Sequence, residues 1–397
     1  PETTMDALTA LGVEVDSQPG LSADTLPGAI GDANVLIVRS TRVSAETVES
    51  GADLNLVIRA GAGTNTIDCD AAARLAVHVA NCPGKNAVAV AELTMGLVLA
   101  LDRFIPDNVS SLRDGRWEKG RFSKGQGLLG RTMGVIGAGR IGQEVIVRAR
   151  AFGMECIAYD PFLTPDRAAD LDVGHCPSVL DLCARASVVS VHVPMTPDTK
   201  HLIGPEAFAA MAPGTLFVHM ARGGIVDDQA LKAAVDSGHI RAASDVFEEE
   251  PKGGSADYDG PFRDAAGFYG THHIGASTIQ AQEAIGDEVV RIISHWMSTG
   301  QVRNCVNRSD RSPASGQLLV RHLDRVGVLA RVLDVLKEAD ISVKEMENAV
   351  FDDTGSAVAA ITLDRSLKEE TLDRIQKEPN VLGLLWIEGS GESPPGQ

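Results

Sequence analysis

The stretch Met133–Gly142, MGVIGAGRIG, decides the fold of this 397-residue chain. Met133–Ile136 is a short apolar run of the kind that forms a strand buried on both faces. Gly137, Gly139 and Gly142 then give a GxGxxG, and apolar Ile141, Val145, Ala149 and Phe152 follow at helical spacing. The first glycine permits a tight turn, the second lets backbone approach a pyrophosphate, and the third lets the helix pack on the strand. The opening of that helix offers free N–H groups and a partial positive charge to phosphate oxygens. The next apolar run ends at Asp160, 18 residues after Gly142, where a carboxylate accepts hydrogen bonds from a ribose diol and repels a 2′-phosphate. The expected ligand is therefore NAD rather than NADP.

Around this unit the alternation of strand and helix continues. Expected strands are Met133–Ile136, Glu155–Tyr159, Val188–His192, Leu216–His219 and Ala242–Val246, the regular spacing of a doubly wound parallel sheet. Upstream, Asn34–Arg39 and Asn55–Arg59 read as two more buried strands. Between them lies a helix, Ser44–Ser50, opened by a Ser44 N-cap. Long helices are expected at Ala87–Arg103 and Ile279–Met297. Residues 304–316 are polar with Pro and Gly and read as a linker. From Leu318 to Glu388 the pattern is strand–helix–strand–strand–helix–strand, followed by a tail, 391–397, of disordered composition.

The excess of 54 acidic over 36 basic residues, a net charge of −18, argues against nucleic acid and anionic membranes as partners, though not against small anions. The longest apolar stretch, Ala87 to Leu101, is interrupted by Glu92 and shorter than the ~20 residues a membrane span needs. No signal peptide is expected from the opening Pro-Glu-Thr-Thr. The six cysteines include no CxxC, so they are expected as small hydrophobes in a reducing cytoplasm, and no metal site is expected.

Arg222 (HMARGGIVDD), Glu250 (DVFEEEP) and His273 (THHIGAST) each follow a strand, at the end of the sheet where such folds bind ligands. Removing hydride from an alcohol beside a carboxylate requires a base for the hydroxyl proton and a cation for the carboxylate. Histidine suits the first role, a carboxylate partner orients its ring, and arginine grips a carboxylate with two parallel hydrogen bonds.

With these motifs in order, nearly the whole chain resembles the D-isomer-specific 2-hydroxyacid dehydrogenases. GAGRIG, MAPGTLFVHMARGGIVDD, DVFEEEP and HHIGAST carry the resemblance. It implies Arg222 as the substrate-binding arginine, His273 as acid/base and Glu250, the glutamate directly before proline, as its partner. It implies cofactor contacts at Arg140, Ile141, His192, Val193, Pro194, Ala221, Asp245 and Gly275. IVRST, with Arg39, and RAGAGT, with Arg59, Gly61, Ala62 and Gly63, resemble the segments that hold phosphate and substrate oxygens in the subgroup oxidising D-3-phosphoglycerate.

The implied architecture is a Rossmann-type NAD domain (83–273) inserted in a flavodoxin-like substrate domain (1–82 and 274–303). A ferredoxin-like ACT domain (317–390) follows, and the front sheet is expected to lack its first strand. The implied reaction is NAD-dependent oxidation of a small phosphorylated 2-hydroxy acid, in a cytoplasmic homodimer or homotetramer with an amino-acid effector at the ACT domain. Two features depart from the pattern. Asp324 and Ser342 replace asparagines that hold serine in relatives, and His219-Met220 replace the common Asn-Thr before Ala-Arg-Gly-Gly. Other readings are a reductase of hydroxypyruvate, glyoxylate or a sugar-acid phosphate, and a dinucleotide-sensing binding protein.

Overall fold

A computed structural model describes residues 1–251, 256–308, 315–352 and 354–388. The chain divides into two compact units, Pro1–Asn307 and Arg308–Gln397.

The first unit is α/β and holds two parallel sheets. The smaller has strands β1 (Val35–Val38), β2 (Leu56–Arg59) and β3 (His78–Asn81), in that order. Val57 and Val79 pack on one face with Val43, Val48 and Ala72; Leu56, Ile58 and Ala80 pack on the other with Leu8, Ile285 and Val289. Sandwiching by helices on both sides is why β1 and β2 read as continuous apolar runs. The helix opened by Ser44 forms as expected: the Ser44 hydroxyl accepts from the Thr47 N–H at 3.3 Å.

The larger sheet comprises β4 (Thr132–Ile136), β5 (Glu155–Tyr159), β6 (Gly174–His175), β7 (Val188–Val191), β8 (Thr215–His219), β9 (Ile240–Ser244) and β10 (Phe268–Gly270), ordered β10-β9-β8-β7-β4-β5-β6. The chain winds from β4 outward through β5 to β6, then returns to β7 and winds the other way. The strand order therefore reverses between β4 and β7, and a crevice opens at their carboxyl ends. Every residue of β7 and β8 is buried, which fixes the level at which their end loops emerge.

Several expectations need correction. β9 ends at Ser244 and β7 at Val191, so Asp245 and His192 lie just beyond their strands rather than inside them. Phe152 follows the helix Arg140–Ala151 and is 43% exposed, so it does not complete the apolar face made by Val145 and Ala149. β3, β6 and β10 were not expected as strands. The linker begins later than Asn304. The Asn307 side chain accepts from Val79 N–H and donates to Val77 carbonyl, each at 2.8 Å, tying 304–307 to the edge of β3. Residues 309–314 and the expected tail 391–397 lie outside the described residues.

The second unit is a four-stranded antiparallel sheet of β11 (Gly316–Leu323), β12 (Val343–Val350), β13 (Ser356–Leu363) and β14 (Val381–Glu388), ordered β12-β13-β11-β14. The helices Val328–Glu338 and Glu369–Gln376 provide Val332, Val335, Leu336 and Ile375 to one face of it, against Leu318, Val320, Ala359 and Ile361. This is the expected βαββαβ arrangement.

Candidate active site

The glycine loop lies at the reversal point. Gly137 has φ 96°, a conformation costly for any residue with a Cβ, and donates its N–H to Tyr159 carbonyl at 2.8 Å. A Cβ on Gly142 would overlap the Gly137 carbonyl, so the helix can approach this closely only with glycine there. Gly139 caps the helix Arg140–Ala151 without a side-chain hydrogen bond, and no atom lies within 4 Å of where its Cβ would point. An uncapped helix N-terminus behind open space is a cradle that fits a pyrophosphate.

Asp160 accepts from Ala138 N–H at 3.0 Å and Phe162 N–H at 2.9 Å. The carboxylate thus braces the loop, and each oxygen keeps a lone pair for a ribose hydroxyl. Arg140 donates to Pro83 carbonyl at 2.6 Å, and Ile141 is half-buried against the core. Across the crevice, His192 bonds Ser190 Oγ through Nε2 at 2.7 Å, and burial pushes its ring down to about 3, so it is a neutral wall. Val193 and Ala221 are buried beside it and Pro194 is exposed.

His273 and Glu250 meet. His273 Nδ1 lies 2.8 Å from Glu250 Oε2, although 23 residues separate them. His273 also has φ 52°, a left-handed conformation uncommon for a side-chain-bearing residue and costly enough to need support. Asp245 supplies that support. Buried to 2% exposure, it accepts from Thr271 Oγ1 at 2.6 Å and from the N–H groups of Ile274 and Gly275, each at 2.8 Å. Three hydrogen bonds to one carboxylate clamp the segment on both sides of His273. The family resemblance implies Asp245 and Gly275 only as cofactor contacts; three bonds from residues 26 to 30 positions away leave no local signature. Partial burial would raise the Glu250 carboxyl. The His273 hydrogen bond and charge, the Phe247 N–H and Arg222 outweigh it and hold it below the ordinary glutamate range.

Arg222 follows β8 and donates to the Ala221 carbonyl at 2.7 Å. Its Nη2 lies 3.1 Å from where a Cβ on Gly63 would stand, so the guanidinium reaches the Gly61–Gly63 loop. Arg59, at the end of β2, folds over Gly61, where a Cβ would overlap its guanidinium. Asn81 Nδ2 holds the Ala62 carbonyl at 2.6 Å, and Cys82 N–H holds the Gly61 carbonyl at 2.9 Å. Burial, then Arg222, then Arg39 push the Arg59 guanidinium below its ordinary value, so Arg59 lies within reach of both other charges. None of the three makes an ion pair among the described residues. Arg59 Nε is buried without a partner there.

A second histidine–glutamate pair was not foreseen. His201 Nε2 contacts Glu248 Oε1, and Glu248 N–H donates to Asp228 Oδ2 at 3.0 Å. The only signal available was that EEE holds glutamates besides Glu250, Glu248 being the first of the three.

Residues 95–290 match the family model described as D-isomer specific 2-hydroxyacid dehydrogenase, NAD binding domain. A D-3-phosphoglycerate dehydrogenase of Methanocaldococcus jannaschii is 44% identical over 74% of this chain and 55% of its own length. A hydroxypyruvate reductase of Thermotoga maritima is 42% identical over 74% of this chain and 94% of its own length. Among solved structures, the TT0316 protein from Thermus thermophilus superposes with a TM-score of 0.69 at 30% identity, covering 77% of this chain and 97% of its own. The chain spans 55% to 63% of the length of the D-3-phosphoglycerate dehydrogenases it matches in M. jannaschii and Mycobacterium tuberculosis. A relative covered almost end to end at 42% identity, together with the matched domain, places this chain in the D-isomer specific 2-hydroxyacid dehydrogenase family.

Proposed function

We propose that the protein oxidises D-3-phosphoglycerate to 3-phosphohydroxypyruvate with NAD, the first step of L-serine synthesis. The observation that carries this reading is three arginines without acidic partners among the described residues: Arg59 and Arg222 at the Gly61–Gly63 loop, and Arg39 near enough for its charge to act on Arg59. A substrate with one carboxylate needs one such residue; a second anionic group accounts for the other two. Relatives named D-3-phosphoglycerate dehydrogenase at 36% to 44% identity support it.

NAD, when bound, would supply the hydride acceptor, and the glycine loop and Asp160 would hold its pyrophosphate and ribose. Arg222 and the loop N–H groups hold the substrate carboxylate, and Arg39 and Arg59 its phosphate. His273 takes the hydroxyl proton on Nε2, because Nδ1 is committed to Glu250, and the Glu250 carboxylate stabilises the imidazolium that results.

The T. maritima relative supports a second reading, reduction of an unphosphorylated 2-oxo acid such as hydroxypyruvate. Steady-state kinetics of Arg39→Ala separates the two. Loss of a charge-assisted bond, about 1.5–3 kcal/mol, should raise KM for the phosphorylated acid about ten- to a hundredfold and leave unphosphorylated acids unchanged. Equal KM shifts for both classes would overturn the phosphate assignment.

The second unit we read as an ACT domain that binds an amino-acid effector, and the whole as a homodimer or homotetramer. His322 is buried, with its ring nitrogens 2.8 Å from Leu323 carbonyl and 3.0 Å from Asn348 Oδ1, which supports a built polar site there. No helix among the described residues is long and apolar enough to cross a membrane. Six free thiols fit the cytoplasm.

A further inference from the structure

His219 departs from the Asn that the family pattern places at the end of this strand, and the structure gives it a partner. It is 1% exposed, at the carboxyl end of β8, with its Nε2 3.1 Å from the carbonyl oxygen of Arg222. A carbonyl only accepts, so Nε2 must carry the proton and Nδ1 must be bare. That Nδ1 is buried and has no partner among the described residues. A buried acceptor left empty is unfavourable for folding, and the neighbours Phe217, Val218, Met220 and Ala221 are all buried and apolar. A leucine would fill the space without that cost. What leucine would lose is the grip on Arg222.

The grip has a geometric consequence. Arg222 forms the turn after β8. Its carbonyl also accepts from Ile225 N–H at 3.3 Å, and its guanidinium bends back to the Ala221 carbonyl. Gly223, next in the turn, lies so close to the Phe247 carbonyl that a Cβ would overlap it. The turn is thus pinned on one side by the backbone that leads to Glu250 and on the other by His219.

We infer that His219 is a positioning residue for Arg222, its Nε2–H fixing the turn from which the guanidinium reaches the Gly61–Gly63 loop. The role rests on the reading of Arg222 as the carboxylate holder. Burial pushes the ring down to about 4, so it stays neutral at working pH and moves no proton in the reaction.

The test uses His219→Leu and His219→Gln in the full chain, alone and with Arg222→Gln. His219→Leu should raise KM for the 2-hydroxy acid three- to tenfold, change kcat less than threefold and leave KM for NAD unaltered, with an unchanged or higher Tm. His219→Gln, which restores an N–H donor, should recover most of the loss. In the Arg222→Gln background the leucine should shift KM less than twofold, because the group it positions is gone. A fully additive shift, or a matched rise in both KM values with a lower Tm, would overturn the inference. Ring ¹⁵N spectra of the wild-type chain give an answer that needs no turnover. Nε2 should be protonated and Nδ1 bare, and the opposite tautomer refutes the tether whichever acid proves to be the substrate. Turnover of unphosphorylated acids alone would sink the phosphoglycerate reading, while KM for those acids would still decide the role of His219.

Discussion

Two histidine–glutamate pairs draw their glutamates from one short loop, and the proposed chemistry uses only one of them. His273 pairs with Glu250 and His201 with Glu248. Both histidines are left-handed, at φ 52° and 49°, and their side chains are 45% and 44% exposed. Contact, strain and exposure therefore do not tell them apart. The ring nitrogens do. Glu250 takes the Nδ1 of His273, which leaves Nε2, the far end of the ring, to reach a substrate. Glu248 takes the Nε2 of His201 and leaves only the nitrogen beside the residue's own backbone. The surroundings differ too. Glu250 feels Arg222, at the edge of the arginine cluster; Glu248 hangs its N–H on buried Asp228. A His–Glu pair becomes an acid/base device through which nitrogen it frees and what that nitrogen faces.

The sharpest way to break this comparison is to remove each ring. His273→Ala should lower kcat about 10²- to 10⁴-fold, the range for loss of a positioned general base. His201→Ala should leave turnover within about threefold, since no reacting group is near it. Parallel steady-state assays with phosphoglycerate and NAD decide it. Comparable losses in both variants would mean that the loop as a whole, rather than His273, limits the reaction.

The carboxylates should separate by less. Glu250→Gln removes the charge that stabilises the imidazolium, a hydrogen bond to a charged group worth about 1.5–3 kcal/mol, and should cost about ten- to a hundredfold in kcat. Glu248→Gln keeps its backbone N–H on Asp228 and should change kcat less than about twofold, because an exposed pair contributes little. If Glu248→Gln proves the more damaging, the choice of the glutamate before proline is wrong.

How much of this was legible in advance varies from residue to residue. β4, β7 and β8 were readable because their burial on both faces writes a continuous apolar run. β6, two residues long, and β3, with His78 and Asn81 at its ends, write no such run, and pairing with a neighbour alone makes them strands. The glycine loop was readable because its residues are contiguous. The resemblance pointed to Glu250 and His273, but nothing in EEE says that Glu248 would meet a histidine 47 positions away. The clamp by Asp245 and the tether by His219 were equally invisible. Apart from the Thr271 hydroxyl on Asp245, both join a side chain to backbone groups, whose pattern of N–H and carbonyl is the same in every sequence.

The smallest expected effect concerns the carboxylate under the quiet pair. Asp228 is 5% exposed, and burial, reinforced by the charges of Glu248 and Asp227 and only partly offset by the Glu248 N–H and His201, pushes it up to about 6. A raised folded-state value means that the folded chain binds this proton more tightly than the unfolded one. The corresponding stability is present below the ordinary aspartate value, 3.8, and is lost as pH rises through about 6. At pH 8 the protein therefore carries a buried charge at a cost of about 1–3 kcal/mol. Asp228→Asn removes the charge, and its amide oxygen can still accept from Glu248 N–H. Its Tm should exceed wild type at pH 8, and the gap should close toward pH 4, where Asp228 is itself neutral. Turnover should stay within about twofold, since Asp228 touches neither His273 nor Glu250. Thermal unfolding at the two pH values checks this. A gap of equal size at both would trace the effect to packing rather than charge, and a gap absent at pH 8 would mean that Glu248 N–H and His201 already offset the buried carboxylate in full.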